Sequence, residues 1–155
     1  MKKSKQFAFI FLFSLMGSKS FSQLVLKNKL DVPIEVCIGW RQDTGDWKGY
    51  ETKGWYTIYP GQSIKPGLKF TSNHDFFLYY ARTTTGVFNE VTKGATLLIH
   101  PTNSFDIKNA DMDYPKKQNP AYQWKSFKTR SVRFKKGQKR KYTFQITILD
   151  MISSS

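Results

Sequence analysis

Apolar and polar residues alternate most clearly over residues 32–41, where Val32, Ile34, Val36, Ile38 and Trp40 fall on one side and Glu35, Cys37, Gly39 and Arg41 on the other. A period of two belongs to an extended strand, whose successive side chains point to opposite faces, so the first set predicts a core-facing stripe. The pattern recurs near the end, with Tyr142, Phe144, Ile146 and Ile148 set against Lys141, Thr143, Gln145 and Thr147. Both segments read as half-buried strands of an antiparallel sandwich. Short runs of β-branched and aromatic residues, separated by Gly, Pro, Asn and Asp, add further strands. The full set covers residues 24–27, 34–41, 55–59, 76–82, 95–100, 105–108, 123–134 and 141–149. Nothing comparable argues for a helix. The expectation is an all-β chain, a single antiparallel β-sandwich-like domain over residues 23–150.

Turn chemistry punctuates these runs. Tyr59-Pro60-Gly61-Gln62 has Pro preset for the second turn position and Gly free to take positive φ at the third, as a type II turn requires. Lys65-Pro66-Gly67-Leu68 repeats that chemistry. Lys136-Gly137-Gln138-Lys139 predicts a hairpin joining the last two strands. Residues 42–53, with Asp43, Gly45, Asp46 and Gly49 around Trp47 and Tyr50, read as a loop. So do residues 109–122, whose length points to a functional loop more than to a plain connection. Residues 151–155 read as a frayed tail.

The first 22 residues break the pattern. A basic start, Met1-Lys2-Lys3-Ser4-Lys5, leads into an apolar run from Phe7 to Phe13 that continues through Leu15 and Met16. Ser20-Phe21-Ser22 puts small residues where a signal peptidase inspects the chain, which predicts cleavage before Gln23 and export to the periplasm or beyond. A membrane-spanning helix needs about 20 apolar residues, and Lys19 interrupts this run well short of that. Of the 155 residues, 133 would remain, enough for one core. Four of the 25 Lys and Arg leave with the leader while all 11 Asp and Glu stay, so the exported part carries a net charge of +10. Cys37 stands alone, which rules out an intramolecular disulfide. Its place inside Val36-Cys37-Ile38 suits a small buried hydrophobe.

The segment Gly54-Trp55-Tyr56-Thr57-Ile58-Tyr59-Pro60-Gly61 is the most distinctive in the chain. Together with Asn28, Val36-Cys37-Ile38-Gly39-Trp40 and Tyr79-Tyr80-Ala81, it resembles the bacterial domain-of-unknown-function family 1036 over residues 24–82. The resemblance implies a small exported or membrane-associated domain without an established activity, so it transfers no catalytic residue. Its motif positions here are Trp40, Gly54, Trp55, Tyr56, Pro60 and Gly61. Members often carry Cys just before the Asn and two positions after Pro-Gly, where this chain has Lys27 and Ser63. The same motif also reads without a ligand: Trp55 filling the space between sheets, Gly54 permitting close backbone approach or a bulge, Pro60-Gly61 turning the chain.

Catalytic and metal chemistry finds little footing. Asp111 and Asp113 have the first spacing of an acidic calcium loop, but Met112, Tyr114, Pro115 and Lys116 stand where more oxygen ligands and a turn Gly are needed. Cys37, His74 and His100 are too scattered for zinc. No Gly-x-Ser-x-Gly elbow supplies a nucleophile. His74, beside Ser72, Asn73 and Asp75, reads as a polar turn residue, and His100-Pro101 as a strand boundary. Neither a metal nor a cofactor is expected, and an enzyme is the third-ranked reading.

Charge carries the strongest signal. No Asp or Glu occurs between Asp113 and Asp150, while the same stretch holds Lys125, Lys128, Arg130, Arg133, Lys135, Lys136, Lys139, Arg140 and Lys141. If the last two strands pair through Gly137, these cations crowd one end of a hairpin, where their repulsion would be relieved by an anion. Tyr122, Trp124 and Phe127 are interleaved with them. The alternative is a solvated surface that keeps an exported protein soluble. The first functional expectation is therefore a non-enzymatic module that binds anionic lipid or acidic polysaccharide of the envelope through a basic C-terminal hairpin. The second is a module for a protein partner, using Trp47, Tyr50 and the 109–122 loop as aromatic anchors. Nucleic acid ranks below envelope polymers because the chain is exported.

Overall fold

Strands that are apolar on one or both faces must find surfaces to cover them, and this chain does so with two sheets. The computed structural model describes residues 22–43, 48–70, 74–86, 94–111, 119–134 and 141–147. They form ten strands: β1 (Ser22–Asn28), β2 (Ile34–Asp43), β3 (Lys48–Ile58), β4 (Ser63–Ile64), β5 (Lys69–Phe70), β6 (His74–Thr83), β7 (Ala95–Ile99), β8 (Phe105–Ile107), β9 (Gln123–Arg133) and β10 (Lys141–Ile146). Among the described residues there is no helix. The all-β expectation holds.

Six strands make one sheet in the order β7-β9-β6-β2-β3-β8, all pairs antiparallel. Its two ends curl toward each other. Leu98 N–H donates to the Ala110 carbonyl at 2.8 Å, Ala110 N–H to Tyr50 O at 2.7 Å, and the Thr52 hydroxyl to Leu98 O at 2.8 Å. These bonds satisfy groups that an open edge would leave to water, and they turn the sheet into a near-barrel. In the smaller sheet β1 is central, with β10 on one side and β4 and β5 on the other. The β1–β10 pair is parallel, with Gln23 opposite Lys141 and Asn28 opposite Ile146, an exception to the antiparallel expectation.

This arrangement creates two cores. Leu24, Leu26, Ile34, Val36, Ile38, Phe77, Tyr79, Val132, Phe144 and Ile146 are buried between the sheets. Phe77, Tyr79 and Phe144 stack there with centroids 4.9 to 6.2 Å apart. Inside the near-barrel a second set is buried: Cys37, Leu78, Tyr80, Leu97, Phe105, Ile107 and Phe127. The stripe Ile34-Val36-Ile38 faces the first core as its period predicts. The opposite stripe of β2 is not a solvent face, because curling of the sheet encloses Cys37 and Gly39.

Two further expectations change. Of the expected loop 42–53, residues 42–43 and 48–53 are strand, the end of β2 and the first half of β3, which pair from Arg41–Tyr50 to Asp43–Lys48, while residues 44–47 lie outside the described residues. The charges Glu51 and Lys53 mislead because their partners are supplied by neighbouring strands: Gln42 Nε2 donates to Glu51 Oε2 at 3.0 Å, and Lys53 pairs with Asp106 at 2.9 Å. The hairpin through Gly137 is also overturned: β9 pairs with β6 and β7, whereas β10 pairs with β1 in the other sheet. Burial explains why. β9 buries Phe127 in one core and Val132 in the other, so it belongs to the sheet covered on both faces. β10 buries only Phe144 and Ile146 and leaves Lys141, Thr143 and Gln145 exposed, which suits a sheet with one wet face.

One of the two Pro-Gly turns forms: Gly61 has φ +73° and Gln62 N–H donates to Tyr59 O at 3.0 Å. The reversal expected at Lys65-Pro66-Gly67-Leu68 is corrected, because β4 and β5 on either side of it both run antiparallel to β1 in the same direction, and Gly67, with φ +90°, lies in the irregular stretch between them. Asn28 braces the first turn from below. It is fully buried, and its amide donates to Val32 O at 2.8 Å and Ile58 O at 2.9 Å while its carbonyl accepts Leu30 N–H at 2.8 Å.

Candidate anion-binding surface

Cross-strand partners in an antiparallel pair share a face, so the register fixes where each cation of β9 stands. Lys128 lies opposite Tyr79 and Arg130 opposite Phe77, on the face turned to the smaller sheet. The Arg130 guanidinium stands 4.7 Å above the Phe144 ring, a placement that holds it against the core rather than out in solvent. Lys125 lies opposite Leu97 and Arg133 opposite His74, on the barrel-side face with Phe127. Arg133 is exposed and lines a shallow open cleft with Asp75, Phe76, Ser131 and Val132. Lys141 is exposed on the other sheet. Lys135, Lys136, Lys139 and Arg140 lie outside the described residues.

The expected single basic ribbon is therefore corrected: the described cations of residues 125–141 occupy both faces of one sheet and the outer face of another. The aromatics interleaved with them are not a stacking platform either. Phe127 is fully buried, and Tyr122 and Trp124 lean on the barrel core. Of the residues expected to anchor a protein partner, Trp47 lies outside the described residues and Tyr50 packs against the barrel core.

Trp40 and the segment Gly54–Gly61 have structural work to do. A Cβ built on Gly54 would stand 2.5 Å from Cys37 Cβ and 2.9 Å from Cys37 Cα, at an irregularity where β3 shifts register against Val36 and Ile38. Only a glycine fits that approach. Trp55 does not fill the space between sheets; it packs half-buried against the barrel core, beside the rings of Tyr80 and Phe105. Its indole N–H donates to His100 O at 2.9 Å, and the Arg82 guanidinium lies 3.9 Å over its ring. Arg82 also donates to Glu35 Oε2 at 2.6 Å and to Pro101 O at 2.7 Å, which ties β2, β3 and β6 to the connection after β7. Trp40 and Tyr56 lean on the inter-sheet core, with the Tyr56 hydroxyl donating to Pro66 O at 3.2 Å. Pro60 and Gly61 form the exposed turn. Lys27 and Ser63 are direct partners across β1 and β4.

Reactive groups are similarly occupied. Cys37 is fully buried and donates to Tyr80 O at 3.6 Å, and burial pushes its thiol well above the ordinary range. His100 Nδ1 accepts the N–H groups of Thr102 and Asn103 at 3.3 and 3.0 Å, which makes it the organiser of a turn. Glu51 is raised by burial and further by the nearby Asp106, whose carboxylate pairs with Lys53 at 2.9 Å. Among the described residues no three His, Cys, Asp or Glu converge as metal ligands.

The sequence missed a different constellation. Gln23 and Lys27 on β1, Ser63 on β4, and Lys141, Thr143 and Gln145 on β10 occupy one outer sheet face. The alternation over residues 141–149 already turned the last three outward. What local pattern does not encode is that β1 lies beside β10. Comparisons of the chain with family models, curated proteins and solved structures find no match.

Proposed function

We propose that this chain is an exported, non-enzymatic binding domain whose natural counterpart is an anionic polymer or surface of the cell envelope. The observation that carries the reading is a contrast between two kinds of cation. Lys53 and Arg82 are matched to Asp106 and Glu35. Lys27, Lys65, Lys125, Arg133 and Lys141 have no carboxylate partner among the described residues. A surplus of unmatched positive charge raises the local concentration of polyanions and speeds their capture. The resemblance of residues 24–82 to the family of exported or membrane-associated domains supports the compartment.

The test is retention of the purified protein on immobilised acidic polysaccharide and on anionic vesicles as salt is raised. Retention that falls steeply with salt is expected, because exposed charge contacts are screened beyond about 8 Å at physiological ionic strength. Reversing Lys65, Arg133 and Lys141, exposed cations without a carboxylate partner among the described residues, to Glu should weaken it while thermal stability stays nearly unchanged. Absence of salt-sensitive retention on both materials would overturn the reading.

A further inference from the structure

The four-stranded sheet turns one face away from the inter-sheet core. Leu24 and Leu26 of β1, Ile64 of β4, and Phe144 and Ile146 of β10 turn toward the inter-sheet core. Their neighbours in sequence therefore point outward: Gln23, Val25 and Lys27 from β1, Ser63 from β4, and Lys141, Thr143 and Gln145 from β10. Lys69 on β5 lies opposite Gln23. Ser63, Lys141, Thr143 and Gln145 are exposed and Gln23 and Lys27 half-buried, whereas Val25, the one apolar residue of the face, is only 5% exposed. What solvent meets is amide, hydroxyl and ammonium.

The four strands, Ser-Gln-Leu-Val-Leu-Lys-Asn, Ser-Ile, Lys-Phe and Lys-Tyr-Thr-Phe-Gln-Ile, contain no carboxylate. Neither Lys27 nor Lys141 has an ion-pair partner among the described residues. We propose that this face is the docking platform for an extended acidic polysaccharide, a proposal that rests on the polyanion reading and names its surface and its ligand class.

Spacing decides for a polymer over a small anion. Lys141 stands opposite Gln23, and Lys27 is four residues further along β1, so the two ammonium groups attach roughly 13 Å apart along the sheet at about 3.3 Å per residue. That exceeds the screening length of about 8 Å. Extended from attachment points that far apart, the lysines repel each other little and offer two separate contacts rather than one pocket. An extended chain with a negative group on successive sugars meets both at once.

The neighbours of the lysines decide among polymers. Gln23, Ser63, Thr143 and Gln145 offer donors and acceptors that suit sugar hydroxyls. A bilayer would gain about 1 kcal/mol per cation near its surface, with no accessible apolar side chain on this face to insert. A single-stranded nucleic acid would want aromatic rings for its bases, and the face has none. Tyr59, the exposed large hydrophobic side chain at 55%, lies beyond the end of β4, on the turn whose Gly61 N–H donates to Asn28 O, and is available to stack on a sugar ring.

The test uses immobilised polygalacturonate, vesicles of phosphatidylcholine with phosphatidylglycerol, and two double variants of equal charge change. Lys27→Glu with Lys141→Glu alters the proposed face, and Arg41→Glu with Lys108→Glu alters exposed cations of the larger sheet; thermal melts confirm that each folds. The first pair is expected to lower polygalacturonate affinity about tenfold, equivalent to ~1.4 kcal/mol, the scale of two exposed ion contacts. The control pair should change it less than about threefold, a change below ~0.7 kcal/mol. Equal losses from the two pairs, or vesicle binding as strong as polygalacturonate binding, would overturn the platform while leaving the wider polyanion reading in place. If the unaltered protein binds neither material, both fall.

Discussion

Substituting Gly54 by Ala tests the closest approach made by any of the glycines whose surroundings are described. The added methyl would sit 2.5 Å from Cys37 Cβ, 2.9 Å from Cys37 Cα and 3.2 Å from Val36 O, whereas carbon atoms in contact prefer about 3.5–4.0 Å. Two of the three obstructing atoms belong to backbone. They lie on β2, which is hydrogen-bonded on one side to β3 and on the other to β6, so the strand has no room to retreat. Overpacking of this kind costs typically 1–3 kcal/mol, and the pinned backbone puts this site at the upper end. For a domain of this size, ~3 kcal/mol corresponds to a fall in Tm of roughly 9–15 °C. Gly61→Ala is the reference: nothing lies within 4 Å of its new Cβ, and only the φ of +73° is unfavourable, which costs about 1–2 kcal/mol. Urea melts of both, combined with changes at Cys37, separate clash from conformation. Cys37→Gly removes the Cβ that is struck and should recover part of the Gly54→Ala loss, while Cys37→Ala keeps that atom and should recover none. A Gly54→Ala protein no less stable than Gly61→Ala, or equal rescue by the two Cys37 changes, would refute the reasoning.

Three other outcomes follow from the same structure. Asn28→Ala abandons two donated bonds and one accepted bond in a fully buried site, and at about 1 kcal/mol each it should cost ~3 kcal/mol in a urea melt; a loss under ~1 kcal/mol would contradict its bracing role. Glu51→Gln should stabilise the fold at neutral pH. Burial, opposed by the Gln42 hydrogen bond and aided by Asp106, raises the Glu51 carboxyl above its ordinary value, with Lys108 acting the other way. A raised folded-state value means that the stability tied to the proton is full below the ordinary carboxylate pKa, about 4.3, and is lost as pH climbs through the raised one. The gain from Gln should therefore appear at neutral pH and vanish in acid, and a pH-independent difference in Tm would count against the assignment. Cys37, buried with its thiol pushed up, should resist iodoacetamide in the native protein and react fully once unfolded. Rapid native labelling would mean that the barrel end opens.

The strands were legible in the sequence where a single buried face imposed its period, as in Ile34-Val36-Ile38 and Phe144-Ile146, and the Pro60-Gly61 turn was legible from backbone requirements alone, whereas Pro66-Gly67 carries the same chemistry without reversing the chain. Partner choice was not. Gly137 suggests a local hairpin, yet β9 and β10 differ in how many faces they bury, and that difference sends them to separate sheets. The same non-local fact dissolved the expected basic ribbon and assembled a face that includes Lys27, a residue over a hundred positions from Lys141. The first half of β3 was hidden because its charges, Glu51 and Lys53, find Gln42 and Asp106 only after the strands have paired. Burial of Cys37 was foreseen from its apolar neighbours. Its enclosure on the face opposite Ile38 needed the curl of the sheet.

Lysine acetylation footprinting with and without polygalacturonate tests the binding face most directly. Protection of Lys27 and Lys141 with no change at Lys108 is the expected result. Protection spread evenly over exposed lysines, or greatest at Lys108, would contradict it.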